Sequence, residues 1–140
     1  MCTDMFHLIC YCFHTIAYLN LYDNQLTGTI PKNLNLANLF YLDIGRNKIG
    51  GTIPDDIGTD FEELKFLHID HNRISGFLPD SVPLMANGRM ISLLANHNRL
   101  TGPVPDNWTV FNKLVQFNIH GEYSMMRLIH KSLEFLKEAQ

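Results

Sequence analysis

Four residues of the types that bind zinc lie in the middle of the chain, namely His68, Asp70, His71 and His97. Zinc in proteins takes tetrahedral sets of His, Cys, Asp and Glu ligands. Alternate residues of a strand share one face, so His68 and Asp70 would project to the same side. Zinc ligands also need supporting groups that orient them, and an open strand surface supplies none. We therefore predict neither a metal site nor a bound cofactor.

A second set of metal-ligand types lies near the N-terminus, in the spacing His7-x-x-Cys10-x-Cys12-x-His14. This spacing differs from the C-x₂₋₄-C pairs of zinc modules, so we expect free or buried thiols instead. The chain has three cysteines, all before residue 13, and an odd number cannot form a fully paired disulfide framework.

The sequence contains no G-x-S-x-G elbow, no H-E-x-x-H, no phosphate-binding loop and no kinase signature, so we predict that the protein is not an enzyme. Its net charge of −3 argues against nucleic acid as a partner. Uninterrupted apolar runs stay below the roughly 18 residues that a membrane-spanning helix needs. We therefore expect no membrane span in the 140 residues.

Four segments align without gaps and account for most of the chain: residues 16–31, 39–54, 64–79 and 90–105. Each carries an asparagine, a glycine four positions later and a proline three positions after that. The asparagines are Asn24, Asn47, Asn72 and Asn98. The glycines are Gly28, Gly51, Gly76 and Gly102, and the prolines are Pro31, Pro54, Pro79 and Pro105. Periodicity of this length predicts a repeat architecture, in which each unit buries its apolar face against its neighbours.

The shared pattern, L-x-x-L-x-L-x-x-N-x-L-[TSG]-G-x-[IVL]-P, resembles the plant-type leucine-rich repeat. Receptor-like kinases, receptor-like proteins and polygalacturonase-inhibiting proteins carry this version. The resemblance covers about residues 16–121 and implies an α/β fold, a right-handed solenoid with a parallel β-sheet on its concave face. It further implies short 3-10 or helical turns on the convex face.

The residue types of each repeat fit this architecture. Leu19 and Leu21 alternate with Asn20 and Tyr22, which predicts a short strand with one buried face. After the strand the chain turns inward, where an Asn amide can both donate and accept hydrogen bonds. We interpret the four asparagines as a structural ladder with no functional role. Three residues after each proline, the apolar positions Leu34, Ile57, Val82 and Trp108 should begin the buried side of a convex turn.

The ends of the chain depart from the repeat. A fifth repeat starts at residue 114 but has Glu122 in place of the asparagine, so we predict that the solenoid ends near residue 121. Residues 122–140 have apolar positions at helical spacing, which predicts an amphipathic helix that caps the last repeat or binds a partner. We expect residues 1–15 to form an N-terminal cap or a truncated repeat. The stretch 83–89 contains Pro83 and Gly88, and we expect a bulging loop there.

The exposed strand positions form columns that run across the repeats. The first column is Tyr18, Tyr41, Phe66, Ser92 and Gln116, and the second is Asn20, Asp43, His68, Leu94 and Asn118. Aromatic, Arg and His side chains gathered on one face are typical of a protein-binding surface. The candidate binding residues are Tyr18, Tyr22, Tyr41, Asp43, Arg46, Phe66, His68, Asp70, His71 and His97. Scattered exposed aromatics are also normal on any protein, which is the alternative interpretation. Lys48, Arg73 and Arg99 each follow a ladder asparagine, and we expect these three basic residues to be solvated.

We therefore predict a protein-interaction module that binds a protein or peptide ligand on its concave sheet without catalysis. One alternative is a fragment of a receptor-like kinase or receptor-like protein that takes part in ligand perception. Another is an inhibitor of a secreted polygalacturonase-type hydrolase. The N-terminus lacks the basic start and cleavage site of a signal peptide. A complete chain would be cytoplasmic and a receptor fragment extracellular or membrane-associated, so the compartment, the ligand and the oligomeric state stay open.

Overall fold

The computed structural model describes residues 15–34, 36–105, 107 and 113–119. The strands are β1 (Tyr18–Asn20), β2 (Tyr41–Asp43), β3 (Phe66–His68), β4 (Ser75–Gly76), β5 (Ser92–Leu94), β6 (Arg99–Leu100) and β7 (Gln116–Asn118). A short helix, α1 (Ile57–Asp60), and a 3-10 segment, Val82–Gly88, connect them.

Five of the strands form the main sheet, which is parallel throughout and has the order β1-β2-β3-β5-β7. Each strand is only three residues long, and its central residue is apolar and faces the core. The first strand residues pair in register as Tyr18, Tyr41, Phe66, Ser92 and Gln116. The predicted parallel sheet is therefore confirmed, and equivalent positions of the repeats lie side by side across it.

A second, smaller sheet, which we did not predict, follows each asparagine. It pairs β4 with β6, and isolated bridges join Thr29 to Gly50 and Thr52 to Ser75. A glycine with positive φ then redirects the chain, for example Gly51 at +73°. A side chain at this position would also place its Cβ 2.6 Å from Cγ2 of Thr29, so both conformation and space favour glycine.

The core lies between the main sheet and the convex connections. Leu34, Ile57 and Val82 are buried, as predicted from their spacing after the prolines, and Trp108 lies outside the described residues. Phe61, which follows α1, is fully enclosed. Because each repeat contributes a few such side chains, the apolar core is continuous from one repeat to the next.

The prediction of a bulging loop at residues 83–89 is wrong. Five of the seven residues of Val82–Gly88 are buried, with Met85 completely enclosed. This segment packs against α1, where the Gly58 amide donates to Ser81 Oγ at 3.2 Å. A Cβ on Gly58 would lie 1.7 Å from the Ser81 carbonyl oxygen, so glycine permits the close approach. Pro83 and Gly88 thus shape a packed turn.

The predicted N-terminal cap, apart from residue 15, and the predicted C-terminal helix at 122–140 lie outside the described residues. Within the described part of the chain, no helix has the length and apolar character needed to cross a membrane.

Candidate functional site

The turns that follow the main sheet are built on the asparagines. The Asn72 side-chain amide donates to the carbonyls of Ile44, Ile69 and Asp70 at 2.9 to 3.2 Å, and its Oδ1 accepts the Ile49 amide at 3.0 Å. Asn47 and Asn98 make the equivalent sets of bonds, each reaching the preceding repeat. These bonds give amides such as that of Ile49 an acceptor, and they add a donor to turn carbonyls, some of which also accept a backbone amide of the preceding repeat.

Asn24 differs from the other three asparagines. Among the described residues, its amide donates to Leu21 and Tyr22 of its own repeat, and the residue is exposed. Within residues 15–119 as described, the links between repeats are those made by Asn47, Asn72 and Asn98.

The residue before each asparagine adopts a left-handed backbone conformation. The φ values are +55° at Asp23, +51° at Arg46, +51° at His71 and +54° at His97. Such values are uncommon for residues other than glycine. The conformation recurs in every described repeat, so these four side chains occupy equivalent places beside the main sheet.

Tyr18, Tyr41 and Phe66 form an aromatic strip across β1, β2 and β3. The rings of Tyr18 and Tyr41 stack with centroids 4.1 Å apart and planes 3° from parallel. Phe66 lies 5.8 Å from Tyr41 in a tilted arrangement. Tyr18 remains 60% exposed, so the strip offers an accessible apolar surface whose rings already hold one another in place.

Within the strip, the Tyr41 ring is held in place by its hydroxyl. Its hydroxyl donates to Asp43 Oδ2 at 3.1 Å, while the Gly45 amide donates to Asp43 Oδ1 at 2.9 Å. Partial burial and the adjacent Asp43 carboxylate raise the pKa of Tyr41 above its usual range. The phenol therefore stays protonated at neutral pH and serves as a donor.

A row of polar side chains continues from Asp43 across the sheet. His68 Nδ1 lies 3.6 Å from Asp43 Oδ2, and His68 Nε2 lies 3.0 Å from Ser92 Oγ. The Ser92 hydroxyl in turn donates to Gln116 Oε1 at 3.1 Å. Sequence reasoning placed Ser92 in the first column but missed this role, because only the side-chain geometry brings a first-column residue to a second-column histidine.

The order Asp43, His68, Ser92 is that of a serine-hydrolase triad, but Ser92 is placed differently from a catalytic nucleophile. Its Oγ lies within hydrogen-bond distance of both His68 Nε2 and Gln116 Oε1, at 3.0 and 3.1 Å. The Ser92 residue is only 2% exposed, and its backbone amide is bonded to the Lys65 carbonyl. The row lies beside the aromatic strip on the same face of the sheet and contacts it through Tyr41.

The histidine group considered for zinc is divided between two places. His68 joins Asp43, as described above, whereas His71 Nδ1 lies 2.8 Å from Asp70 Oδ2. The rings of His71 and His97 meet with centroids 4.1 Å apart. Within the described residues, no three His, Cys, Asp or Glu side chains are placed to hold a metal ion together.

Tyr22 and Arg46 form a second pair at the edge of the main sheet. The Arg46 guanidinium carbon lies 6.0 Å from the Tyr22 ring centroid, at the outer limit of a cation–π contact. Both residues are exposed. All ten candidate binding residues thus lie on or beside the main sheet, in groups around the strip, the polar row and this edge.

Comparison with known families identifies residues 15–36, 38–59 and 63–85 as leucine-rich repeats. Three solved structures illustrate the similarity. The BIR2 ectodomain from Arabidopsis thaliana is 29% identical, with a TM-score of 0.66 over 71% of this chain and 51% of that one. The SOBIR1 receptor kinase ectodomain, also from Arabidopsis thaliana, is 26% identical, with a TM-score of 0.61 over 75% of this chain and 56% of that one.

The third structure is that of the Arabidopsis receptor kinase HAESA in complex with the peptide hormone IDA and the co-receptor SERK1. It is 28% identical, with a TM-score of 0.70 over 85% of this chain and 19% of that one. The chain thus spans about half the length of the BIR2 and SOBIR1 ectodomains and a fifth of HAESA. No curated protein sequence matches it significantly.

Proposed function

Since the chain is a leucine-rich repeat protein similar to plant receptor kinase ectodomains, we propose that it binds a peptide segment noncovalently on its main sheet. The observation that carries the proposal is the aromatic strip of Tyr18, Tyr41 and Phe66, which is stacked, supported and open on one side. A protein similar to this chain, HAESA, holds a peptide hormone in its solved complex.

Preorganisation supports this function. Binding loses free energy when loose side chains must be ordered at the interface, and this cost falls when they are already fixed. Tyr41 is fixed on both sides, by stacking on Tyr18 and by its bond to Asp43. Aromatic residues in such settings dominate the energy of many protein interfaces. Tyr41 and Phe66 are therefore the expected anchors, with Tyr18 as the exposed end of the strip.

The width of the main sheet limits the length of peptide that can bind across it. Five strands spaced about 4.8 Å apart give a sheet roughly 20 Å wide. An extended peptide rises about 3.3 Å per residue, so some six residues suffice to cross it. An interface this small is at the lower end of those that proteins use, and we expect an affinity in the micromolar range.

Selection from a displayed library of random dodecapeptides tests the proposal. The strip-replaced variant, Tyr41→Gln with Phe66→Ser, gives both positions residue types that the same column already carries in Gln116 and Ser92. We expect selected peptides, resynthesised and titrated by calorimetry, to bind the wild-type chain and to bind this variant at least tenfold more weakly.

The matched control is Phe77→Ser. Phe77 is 67% exposed, more than Tyr18, but it follows β4 in the second sheet, away from the strip. Affinity should stay within twofold of wild type in this variant. The strip-replaced variant should melt below wild type, because it loses the Tyr41–Asp43 bond and the ring contacts, so all titrations are done at a temperature at which circular dichroism shows both variants folded. Equal weakening by the two variants, or no enrichment of any peptide, would contradict the proposal.

The resemblance to receptor ectodomains favours a second candidate, in which this segment perceives a ligand as part of a longer receptor. The chain covers only part of the ectodomains that it matches. Mapping both ends of the transcript tests this idea. A membrane span and kinase encoded downstream would support it, and a transcript that encodes only these residues would contradict it.

A further inference from the structure

Four exposed cations lie next to ladder asparagines, where the chain passes from the main sheet into the second sheet that contains β6. They are Arg46, Lys48, Arg73 and Arg99, and we call them the basic edge. Among the described residues, two carboxylates lie within 4.0 Å of a basic side chain, and in both cases that side chain is a histidine. Asp43 lies near His68, and Asp70 lies near His71. The four cations of the basic edge thus lack a carboxylate partner in the described part of the chain.

The repeat itself aligns these charges. Lys48, Arg73 and Arg99 directly follow ladder asparagines, and their backbone amides donate to the preceding repeat at 2.7 to 2.8 Å. The Lys48 Nζ lies 3.4 Å from Oε1 of Gln25, the equivalent residue of the first repeat, so this side chain extends along the column. One cation per repeat therefore recurs at a fixed backbone position in the second, third and fourth repeats.

The neighbouring acidic groups do not neutralise the basic edge. Asp43 accepts from Tyr41 and Gly45, and Asp70 lies 2.8 Å from His71. Asp23 occupies the Arg46 position of the first repeat and is the one carboxylate in that column. The chain carries a net charge of −3, so the basic edge is a local reversal of charge. Exposed like charges in a row attract a ligand of opposite sign and repel one of the same sign.

We propose that the basic edge binds an acidic stretch of the peptide that lies on the main sheet. This inference rests on the proposed function, because it assigns the chemistry of the same ligand. The ligand would place Asp or Glu side chains along the second to fourth repeats, and a neutral or apolar part on the aromatic strip. Its acidic part would lie away from Asp23 of the first repeat.

Three labelled synthetic peptides test this assignment: hexaglutamate, a neutral hexapeptide rich in Tyr and Phe, and their twelve-residue fusion. Binding is followed by fluorescence anisotropy in 20 and 200 mM salt. We expect the fusion to bind more tightly than either half, and its dissociation constant to rise at least tenfold in the higher salt. Exposed ion pairs are screened at that ionic strength, whereas ring contacts are not.

The decisive variants each remove two positive charges. Arg73→Gln with Arg99→Gln should weaken the fusion at least fivefold and flatten its dependence on salt. Lys32→Gln with Lys113→Gln removes the same charge from two exposed lysines outside the basic edge and should change the affinity less than twofold. Equal weakening by both pairs would show a net-charge effect and overturn the inference.

The remaining outcomes separate the inference from the proposed function. If the fusion binds without dependence on salt or on Arg73 and Arg99, the acidic assignment fails while the aromatic strip can still carry the function. If it depends on the arginines but not on Tyr41 and Phe66, the acidic site stands and the strip does not. Equal affinity for polygalacturonate or an oligonucleotide would identify a general polyanion site and overturn the peptide assignment. No binding of the fusion in 20 mM salt would overturn the acidic assignment, and the proposed function would then be decided by the library selection alone.

Discussion

The asparagine ladder and the aromatic strip lie only a few residues apart in each repeat, yet the residue type is constant at the ladder position and varies at the strip position. The ladder position is asparagine in all four repeats, and from Asn47 onwards each amide bonds to two repeats at once. The first strand position changes from Tyr18 to Gln116 across the same sheet. Backbone groups inside the turn fix the residue type at the ladder, whereas the exposed position is free to vary and can be used for recognition.

The main sheet also divides into two halves. The β1–β3 half carries three aromatic rings in contact, and the β5–β7 half carries Ser92 and Gln116, bonded to each other. His68 links the halves, because it packs edge-on against Tyr41 and also reaches Ser92. An apolar ligand segment is therefore expected over the first three strands, and a polar one over the last two.

The largest effect that tests this contrast is expected from Asn72→Leu. The substitution leaves the Ile49 amide without its acceptor and removes one of two donors from the carbonyls of Ile44, Ile69 and Asp70. An unsatisfied buried amide costs about 1–3 kcal/mol and each further lost hydrogen bond about 0.5–1.5 kcal/mol, so we expect a loss of roughly 3–5 kcal/mol. Urea unfolding followed by circular dichroism measures it.

Asn24→Leu is the control for that measurement. Asn24 is exposed, and its bonds to described residues stay within its own repeat, so its substitution should cost no more than about 1 kcal/mol. Similar losses at Asn24 and Asn72 would show that the ladder does not act through its links between repeats.

A smaller effect is expected from Tyr41→Phe, which keeps the stacked ring and removes the hydroxyl that donates to Asp43. We expect a loss of about 1 kcal/mol at pH 7, the usual contribution of one hydrogen bond. Ligand affinity should change little, because the ring remains.

The same variant has a pH dependence of known sign. Partial burial and Asp43 raise the pKa of Tyr41 above its ordinary value of about 10. The protonated phenol therefore stabilises the native state fully below pH 10, and this contribution is lost as the pH rises above it. The advantage of wild type over Tyr41→Phe should shrink above pH 10, which urea titrations at pH 8 and 10.5 can measure. A constant difference would rule out the Tyr41–Asp43 interaction as its source.

Much of this arrangement could be predicted from the sequence because repetition fixes register. Aligning the repeats on the asparagines placed Tyr18, Tyr41 and Phe66 in one column, and the same alignment puts His71 and His97 at equivalent positions, where their rings meet. No tertiary information beyond stacking was needed, since equivalent positions of stacked repeats must be neighbours.

The remaining features depend on side-chain conformation and close packing, which a repeat pattern does not encode. Pro83 and Gly88 are typical of loops, yet the segment packs closely against α1 because Gly58 lets Ser81 approach. The pairing of β4 with β6 involves two residues each, too few to give an alternating pattern. The bond between His68 and Ser92 requires one particular rotamer of each, which the sequence alone leaves undetermined.

The smallest expected effect comes from Arg46→Gly, and it is compared with Asn47→Gly at the adjacent position. Arg46 has φ of +51°, which glycine adopts without strain, but glycine also raises the entropy of the unfolded chain, and the two effects oppose each other. We expect Arg46→Gly to change the free energy of unfolding by no more than about 0.5 kcal/mol. Asn47→Gly should lower it by several times more, because the Asn47 side chain bonds both its own repeat and the preceding one. Urea unfolding of the pair compares the two positions directly. A large loss at Arg46 would mean that its side chain supports the fold, and its assignment to the basic edge as a free ligand-binding cation would then be wrong.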